Sequence, residues 1–399
     1  MLKVCLITTN LLPVPCVLGG AIEGLVTNII DEQEIENKLD LTVVSIYNQE
    51  AFASSKNYHH TKFIYIKKNL SYMLTSIIYK TINKLFKTNL NTYNHMVLKK
   101  IKNMNFDYVV AEGGHYESYN KFLKYYKRNQ LILHLHHQET SKPIIDKTFS
   151  RVLGVSNFIA NDFATTTDKI ATYTLYNGIK IDKFTKKVST KELDALRAKY
   201  NLSPKDFVVL FCGRLIKEKG VLELIKAIKS IPNKDIKLLI LGNNPFTNNQ
   251  KDEYIKELEL AIKGYEERII FTGYINNWEV YIYYNLSDIV CIPSMWEDAA
   301  TLVCVEAMLC KKVVLATNSG GIPEHLPKNA SLVVEKGPKA VKNLKTGIMS
   351  LYNEREKLPE MGKIACNHAK RFNSQKMYLG LVNYLLKFYQ EDKGDKNEV

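Results

Sequence analysis

Short β-branched runs alternate with helical patterns along this 399-residue chain, and that alternation admits few folds. Thirteen strand candidates occur, at residues 3–8, 41–46, 62–66, 107–111, 130–135, 151–155 and 172–176, then at 207–212, 236–241, 268–272, 288–293, 312–317 and 331–334. Many are continuously apolar, such as FVVLFC at 207–212. That is the pattern of parallel strands covered on both faces by helices, whereas half-exposed strands alternate. Each set opens with a strand, a glycine-bearing loop and a helix. The expected fold class is therefore α/β, with two Rossmann-like doubly wound parallel-sheet domains in tandem and the ligand cleft between them. The expected boundaries are 1–184, 185–372, and 373–399 for a C-terminal helix and tail, with EDKGDKNEV at 391–399 read as disordered.

Composition removes several classes of function. No apolar run approaches the ~18–20 residues a membrane span needs. The opening MLKVCLITTN is a strand pattern without the apolar stretch or cleavage site of a signal peptide. Seven cysteines, an odd number without a CxxC pair, read as reduced core residues of a cytoplasmic protein. The net charge of +14 fits an anionic membrane face or phosphorylated substrates. No zinc finger, recognition helix or basic-aromatic RNA motif is visible, so no nucleic-acid partner is expected.

Residues 288–326 carry the densest chemistry. A strand leads into a polar loop with Glu297 and Asp298, then an amphipathic helix bearing Glu306. A second strand ends in Ser319-Gly320-Gly321, followed by Pro323 and Glu324. In an open parallel sheet both loops lie at the C-terminal strand ends, where ligands bind. The helix N-terminus offers N–H groups to an anion, and the carboxylates offer acceptors to hydroxyls. Upstream, FCGRLIKEKG lets Gly213 turn sharply out of a strand, with Arg214 and Lys219 placed to aim two cations at a diphosphate. In the first half, Gly19 and Gly20 allow close backbone approach to a ligand; the segment is not GxGxxG, which disfavours nicotinamide or flavin. His134, His136 and His137 end a strand, but no carboxylate or cysteine at ligand spacing completes a metal site, and no DxD pair is present. No metal and no other cofactor are expected.

Residues 70–86 place Leu70, Met73, Leu74, Ile77, Ile78, Leu85 and Phe86 on one helical face, with lysines flanking or opposing it. The ordinary reading is a core-facing helix with a solvated lysine face. The sharper one is a basic surface, residues 67–102, that docks on anionic lipid.

Taken together these segments resemble the GT-B retaining glycosyltransferases of family GT4, over nearly the whole chain. The marks are Gly19-Gly20, His136, Ser156 in GVSNFIA, Asn177-Gly178, GRLIKEKG, FTGYI, the acidic segment at 293–308 and NSGGIPE. The family's glutamate pair places its second member at Glu306 and its first at Asp298, with Glu297 as the neighbouring alternative; Thr301 stands where the family has glycine. The resemblance implies a hexose donor carried by a nucleotide diphosphate, UDP favoured, and a lipid-linked or growing cell-surface glycan as acceptor, handled at the inner membrane face. It implies that Arg214 and Lys219 bind the diphosphate and Glu306 the ribose. Asp298, with the backbone at Thr301 and Leu302, would hold the sugar and distal phosphate, and Tyr274 would flank the base. Gly19, Gly20 and Gly213 would lie against the donor, and His136 near the sugar or acceptor hydroxyl. It also implies that the C-terminal helix crosses back onto the first domain. The competing readings are a nucleotide-sugar epimerase or phosphorylase on the same fold, and a non-catalytic nucleotide-sugar-binding partner.

Overall fold

The computed structural model describes residues 1–242 and 253–394. The chain divides into two compact units, Met1–Ile179 with Asn373–Val399, and Lys180–Phe372.

The first unit is a seven-stranded sheet of β1 (Leu2–Ile7), β2 (Leu39–Ile46), β3 (Thr61–Ile66), β4 (Tyr108–Ala111), β5 (Leu131–Leu135), β6 (Arg151–Gly154) and β7 (Ala171–Thr174). The order is β3-β2-β1-β4-β5-β6-β7, and every pairing is parallel. Val4, Leu6, Leu41, Val43 and Leu133 are wholly buried, as continuous apolar runs covered on both faces require. The order reverses between β1 and β4, which makes their C-terminal ends the ligand crevice of an open α/β sheet.

The C-terminal helix, Ser374–Gly394, is part of this unit. Tyr378 donates to Gln33 Oε1 at 2.5 Å, tying it to the helix Ala21–Glu36. The expected disordered tail begins too early. Asp392 pairs with Arg151 at 2.8 Å and accepts from the Tyr108 hydroxyl at 2.9 Å, so the helix runs through residue 394. Residues 395–399 of that expectation lie outside the described residues.

The helix Leu70–Phe86 departs from its ordinary reading. Asn69 caps it by accepting from Tyr72 N at 3.1 Å, yet none of its residues is buried. Its polar stripe, Tyr72, Ser76, Tyr79, Lys80 and Asn83, lines a cavity of about 650 Å³ in the unit. Asn83 accepts from Leu90 N at 2.9 Å, and Tyr79 bonds His95 at 3.0 Å. The apolar stripe is the one left open: Leu70, Ile77 and Phe86 are 71%, 62% and 70% exposed. The helix is mounted inside-out relative to a core helix.

The second unit has β8 (Phe207–Cys212), β9 (Ile236–Leu241), β10 (Ile269–Gly273), β11 (Ile289–Ile292), β12 (Val313–Thr317) and β13 (Ser331–Val334). They form a parallel six-stranded sheet in the order β10-β9-β8-β11-β12-β13. Val209, Phe211, Leu238, Ile240, Cys291 and Leu315 pack with Leu224, Ile228 and Leu344 in one apolar core. The reversal here falls between β8 and β11, which brings the GRLIKEKG loop beside the acidic loop. All seven cysteines are free thiols, and among the described residues no helix is long and apolar enough to cross a membrane.

Candidate active site

In the second unit, three strand-end loops are locked together by backbone contacts that only glycine permits. After β8 the chain passes Gly213 and Arg214, makes a tight turn at Lys217–Lys219, and leaves it through Gly220 at φ +69°. A Cβ on Gly220 would lie 1.8 Å from the Pro293 carbonyl oxygen, so the β8 loop rests directly on the β11 loop. Met295 N donates to Glu218 O at 2.8 Å across the same seam. This seating delivers Lys219 to Asp298, with Nζ 2.5 Å from Oδ2. Ser294 Oγ donates to the same oxygen at 3.0 Å. Asp298 is only 8% exposed, while the Arg214 side chain stands in solvent with no side-chain partner among the described residues.

The β12 loop closes the arrangement from the other side. Thr317 Oγ1 donates to Ser294 O at 2.6 Å, and Gly321 N donates to Asp298 O at 2.8 Å. Gly320 has φ +52°, and a Cβ there would lie 2.1 Å from the Asp298 carbonyl oxygen. The two neighbouring carboxylates are thereby separated in role. Asp298 faces Lys219 and Ser294, whereas Glu297 accepts from Gly320 N at 2.6 Å and pairs with Lys336.

Glu306 lies on the helix Leu302–Leu309, which Thr301 precedes without a side-chain cap. Cys304 N donates to Thr301 O at 3.3 Å, which leaves the first N–H groups, at Leu302 and Val303, for another acceptor. Tyr284 donates to Glu306 Oε2 at 2.8 Å, and burial pushes the Glu306 carboxyl above its usual range. Tyr274 follows Gly273 (φ +75°) and is exposed at the C-terminal edge of β10, two strands from β8. Arg214, Lys219, Glu297, Asp298, Thr301 and Glu306 therefore gather at the switch point, with Tyr274 further along the same edge. The set joins two cations and an uncapped helix end to carboxylates that accept hydroxyl hydrogens, which suits a diphosphate bearing sugars.

In the first unit, Gly19 (φ +83°) and Gly20 (φ +102°) follow β1, and Gly20 precedes the helix Ala21–Glu36. A Cβ on Gly20 would lie 2.3 Å from Glu23 Oε2. Glu23 is buried, accepts from Thr9 Oγ1 at 2.7 Å, and has its carboxyl pushed up by burial. Sequence reasoning gave Glu23 no role, although a carboxylate one turn inside a helix after paired glycines was the available signal.

The histidine segment needs a correction. A carboxylate does complete it: Glu112 Oε2 lies 2.8 Å from His134 Nδ1 and 3.0 Å from His136 Nε2. The partner comes from 22 residues upstream of His134, invisible to spacing along one segment. Strand pairing supplies it, since Ala111 aligns with Leu133 and puts Glu112 beside His134. Burial raises the Glu112 carboxyl, but the two imidazoles outweigh this and hold it down at about 2. Burial, aided by His134, pushes His136 down to about 4. Its imidazole is turned to Glu112, and His137 packs against Tyr116 at 6.0 Å.

Residues 193–368 match the family model described as Glycosyl transferases group 1. Among curated proteins, a lipopolysaccharide 1,2-N-acetylglucosaminetransferase of Salmonella typhimurium is 28% identical over 49% of this chain and 50% of its own length. Spore coat protein SA of Bacillus subtilis is 22% identical over 98% of this chain and 100% of its own. Among solved structures, a glycosyltransferase from Rickettsia africae superposes with a TM-score of 0.77 at 17% identity, covering 97% of this chain and 99% of its own. The Anabaena protein HepE in complex with UDP and glucose gives 0.74 at 19%, covering 97% and 100%. These likenesses show a GT-B fold.

Proposed function

We propose, from the match of residues 193–368 to the group 1 glycosyltransferases, a retaining hexosyltransferase that takes its sugar from a nucleotide diphosphate, UDP in the first instance. The observation that carries this reading is the pairing of Lys219 with Asp298 at the β8/β11 switch point, with Arg214 exposed on the same β8 loop. HepE, of the same fold, is described with UDP and glucose bound, which supports the choice of nucleotide.

In the proposed scheme Arg214, Lys219 and the N–H groups at Thr301–Leu302 receive the diphosphate. Glu306 accepts from the ribose, Asp298 from the transferred sugar, and Tyr274 flanks the base. Breaking the anomeric C–O bond moves an electron pair onto the phosphate oxygen while positive charge spreads over the sugar ring. Preorganised cations stabilise the first charge better than water does, because they need no reorientation as the bond breaks. The acceptor hydroxyl attacks on the face the phosphate leaves, and a phosphate oxygen takes its proton, so configuration is retained. In this scheme the chain's own cations do the work that a diphosphate-bound metal would otherwise do. His136 takes no step in this scheme, because its Nε2 is engaged by Glu112.

The acceptor proposed is a lipid-linked or growing surface glycan held at an anionic membrane. Support comes from the inside-out helix Leu70–Phe86, whose exposed apolar stripe is accompanied by Lys67, Lys68, Lys84 and Lys87. Apolar insertion with ~1 kcal/mol per nearby basic residue is enough for reversible docking. A panel of nucleotide sugars scored for binding and slow hydrolysis, followed by proton NMR of the product anomer, tests the enzymatic reading. Retention with one UDP-hexose is expected; an inverted product, or no binding across the panel, would refute it.

A further inference from the structure

We propose that Glu112, His134 and His136 form a buried site for a divalent transition metal, zinc foremost, within the first unit. The proposal goes beyond the transfer reaction and uses none of its groups at the diphosphate.

The backbone builds the site. His134 and His136 are two residues apart at the end of β5, and side chains at that spacing leave a strand on the same face. The β4/β5 register sets Glu112 beside His134 on that face. One donor atom from each residue lies within 4.8 Å of the other two, and Glu112 Oε2 stands 2.8 and 3.0 Å from the two ring nitrogens. Ligand atoms around tetrahedral zinc, with bonds of ~2.0–2.1 Å, are spaced by roughly 3.3 Å. Glu112 Oε2 has only to move a few tenths of an ångström away from each ring nitrogen to reach that spacing.

The chemistry of the donors agrees. Two imidazoles and a carboxylate are an established zinc ligand set, and three protein ligands leave a fourth position for water. The ligands must be unprotonated.

The polar accounting then asks for an occupant. Glu112 is wholly buried, yet its Oε1, His134 Nε2 and His136 Nδ1 have no protein partner, and the buried hydroxyls of Tyr116 and Tyr119 have none either. Native interiors rarely leave such a group unpaired without a bound ion or water. A zinc ion that takes Glu112 through both oxygens gives Oε1 its partner, and the outer ring nitrogens, His134 Nε2 and His136 Nδ1, then remain as donors for buried water. The site also has a structural consequence. Glu112 leads into Gly113-Gly114 (φ +145° and +94°), and Gly114, His115, Tyr116 and Glu117 line the 650 Å³ cavity beneath the inside-out helix. A metal held at Glu112 would fix the start of that cavity wall.

The test uses tag-free, chelator-stripped full-length protein, dialysed against zinc sulfate and analysed by plasma mass spectrometry, with cobalt(II) as an absorbing substitute. The wild type is expected to take up one zinc, to show the visible bands of low-coordinate cobalt, and to melt roughly 5–10 °C higher with zinc at a hundred times its Kd. Glu112→Gln and His136→Gln should each weaken uptake by at least about 100-fold. His59→Ala with His60→Ala, which removes an exposed histidine pair, should leave it intact. A stripped wild type that takes up no zinc overturns the proposal and leaves the triad a metal-free hydrogen-bonded cluster. Equal uptake by Glu112→Gln overturns it too, by placing the ion elsewhere. Binding of UDP is a separate readout, so failure here is distinguishable from failure of the transferase reading.

Discussion

Replacing Lys219 by alanine should damage stability and catalysis for different reasons, and a double-mutant cycle separates them. Lys219 and Asp298 side chains are 19% and 12% exposed and meet at 2.5 Å. Removing one partner of a fully buried pair costs ~3–5 kcal/mol, mostly because the other charge is stranded. Ser294 still donates to Asp298 at 3.0 Å, and water reaches the site, so about 2–3 kcal/mol is expected for Lys219→Ala. For a unit of this size, Lys180–Phe372, that lowers the melting temperature by roughly 4–12 °C. Adding Asp298→Ala removes the stranded charge, so the double variant should be as stable as Lys219→Ala or more so, with a coupling of ~1–3 kcal/mol. Transfer should fall by about 10²-fold or more in Lys219→Ala from lost charge stabilisation, and the double variant should recover none of it. The assay is urea unfolding of the three variants beside single-turnover transfer. Strictly additive stabilities, or wild-type transfer by Lys219→Ala, would refute the reasoning.

Gly320→Ala should destabilise the second unit by more than about 2 kcal/mol, since it combines a left-handed backbone with a Cβ 2.1 Å from the Asp298 carbonyl; the urea midpoint reads it. Glu306→Gln should weaken nucleotide binding yet raise thermal stability above neutral pH. Burial raises the folded-state value of this carboxyl, so the folded chain binds the proton more tightly and stability falls as pH rises through that raised value. Melting curves at pH 5 and pH 8 should therefore show the larger gain for glutamine at pH 8. Leu74→Asp combined with Ile77→Asp and Ile78→Asp should abolish flotation with anionic vesicles at low salt. Because these positions are exposed, each should change stability by no more than ~0.5 kcal/mol. Unchanged flotation would remove the membrane reading of this helix.

The strands were legible because parallel strands buried on both faces write themselves as apolar runs: FVVLFC at β8 and VVLAT at β12 have no other comfortable setting. The glycines that weld the loops were legible as turn formers. Their deeper reason, a carbonyl 1.8 or 2.1 Å from any added Cβ, needs the third dimension. Glu112 was missed because a parallel register joins residues whose separation along the chain carries no signal. The helix Leu70–Phe86 was misjudged in its ordinary reading for a related reason. Periodicity reveals that a face is apolar, but what covers that face depends on Tyr79 and Asn83 anchoring the opposite side. The division of labour between Glu297 and Asp298 likewise follows from Gly320 N and Lys219 reaching different carboxylates.

The central claim is that the β8, β11 and β12 loops hold a nucleotide through its diphosphate. Calorimetric titration of UDP against UMP, on wild type and Arg214→Ala, tests it most directly. UDP should bind the wild type at least about 100-fold more tightly than UMP, from two charge-assisted contacts of ~1.5–3 kcal/mol each. Arg214→Ala, which removes one of the two contacts, should cut this preference by about 10-fold or more, and added Mg²⁺ should leave it unchanged. Equal affinities for UDP and UMP, or a preference for UDP that appears only with Mg²⁺, would contradict it.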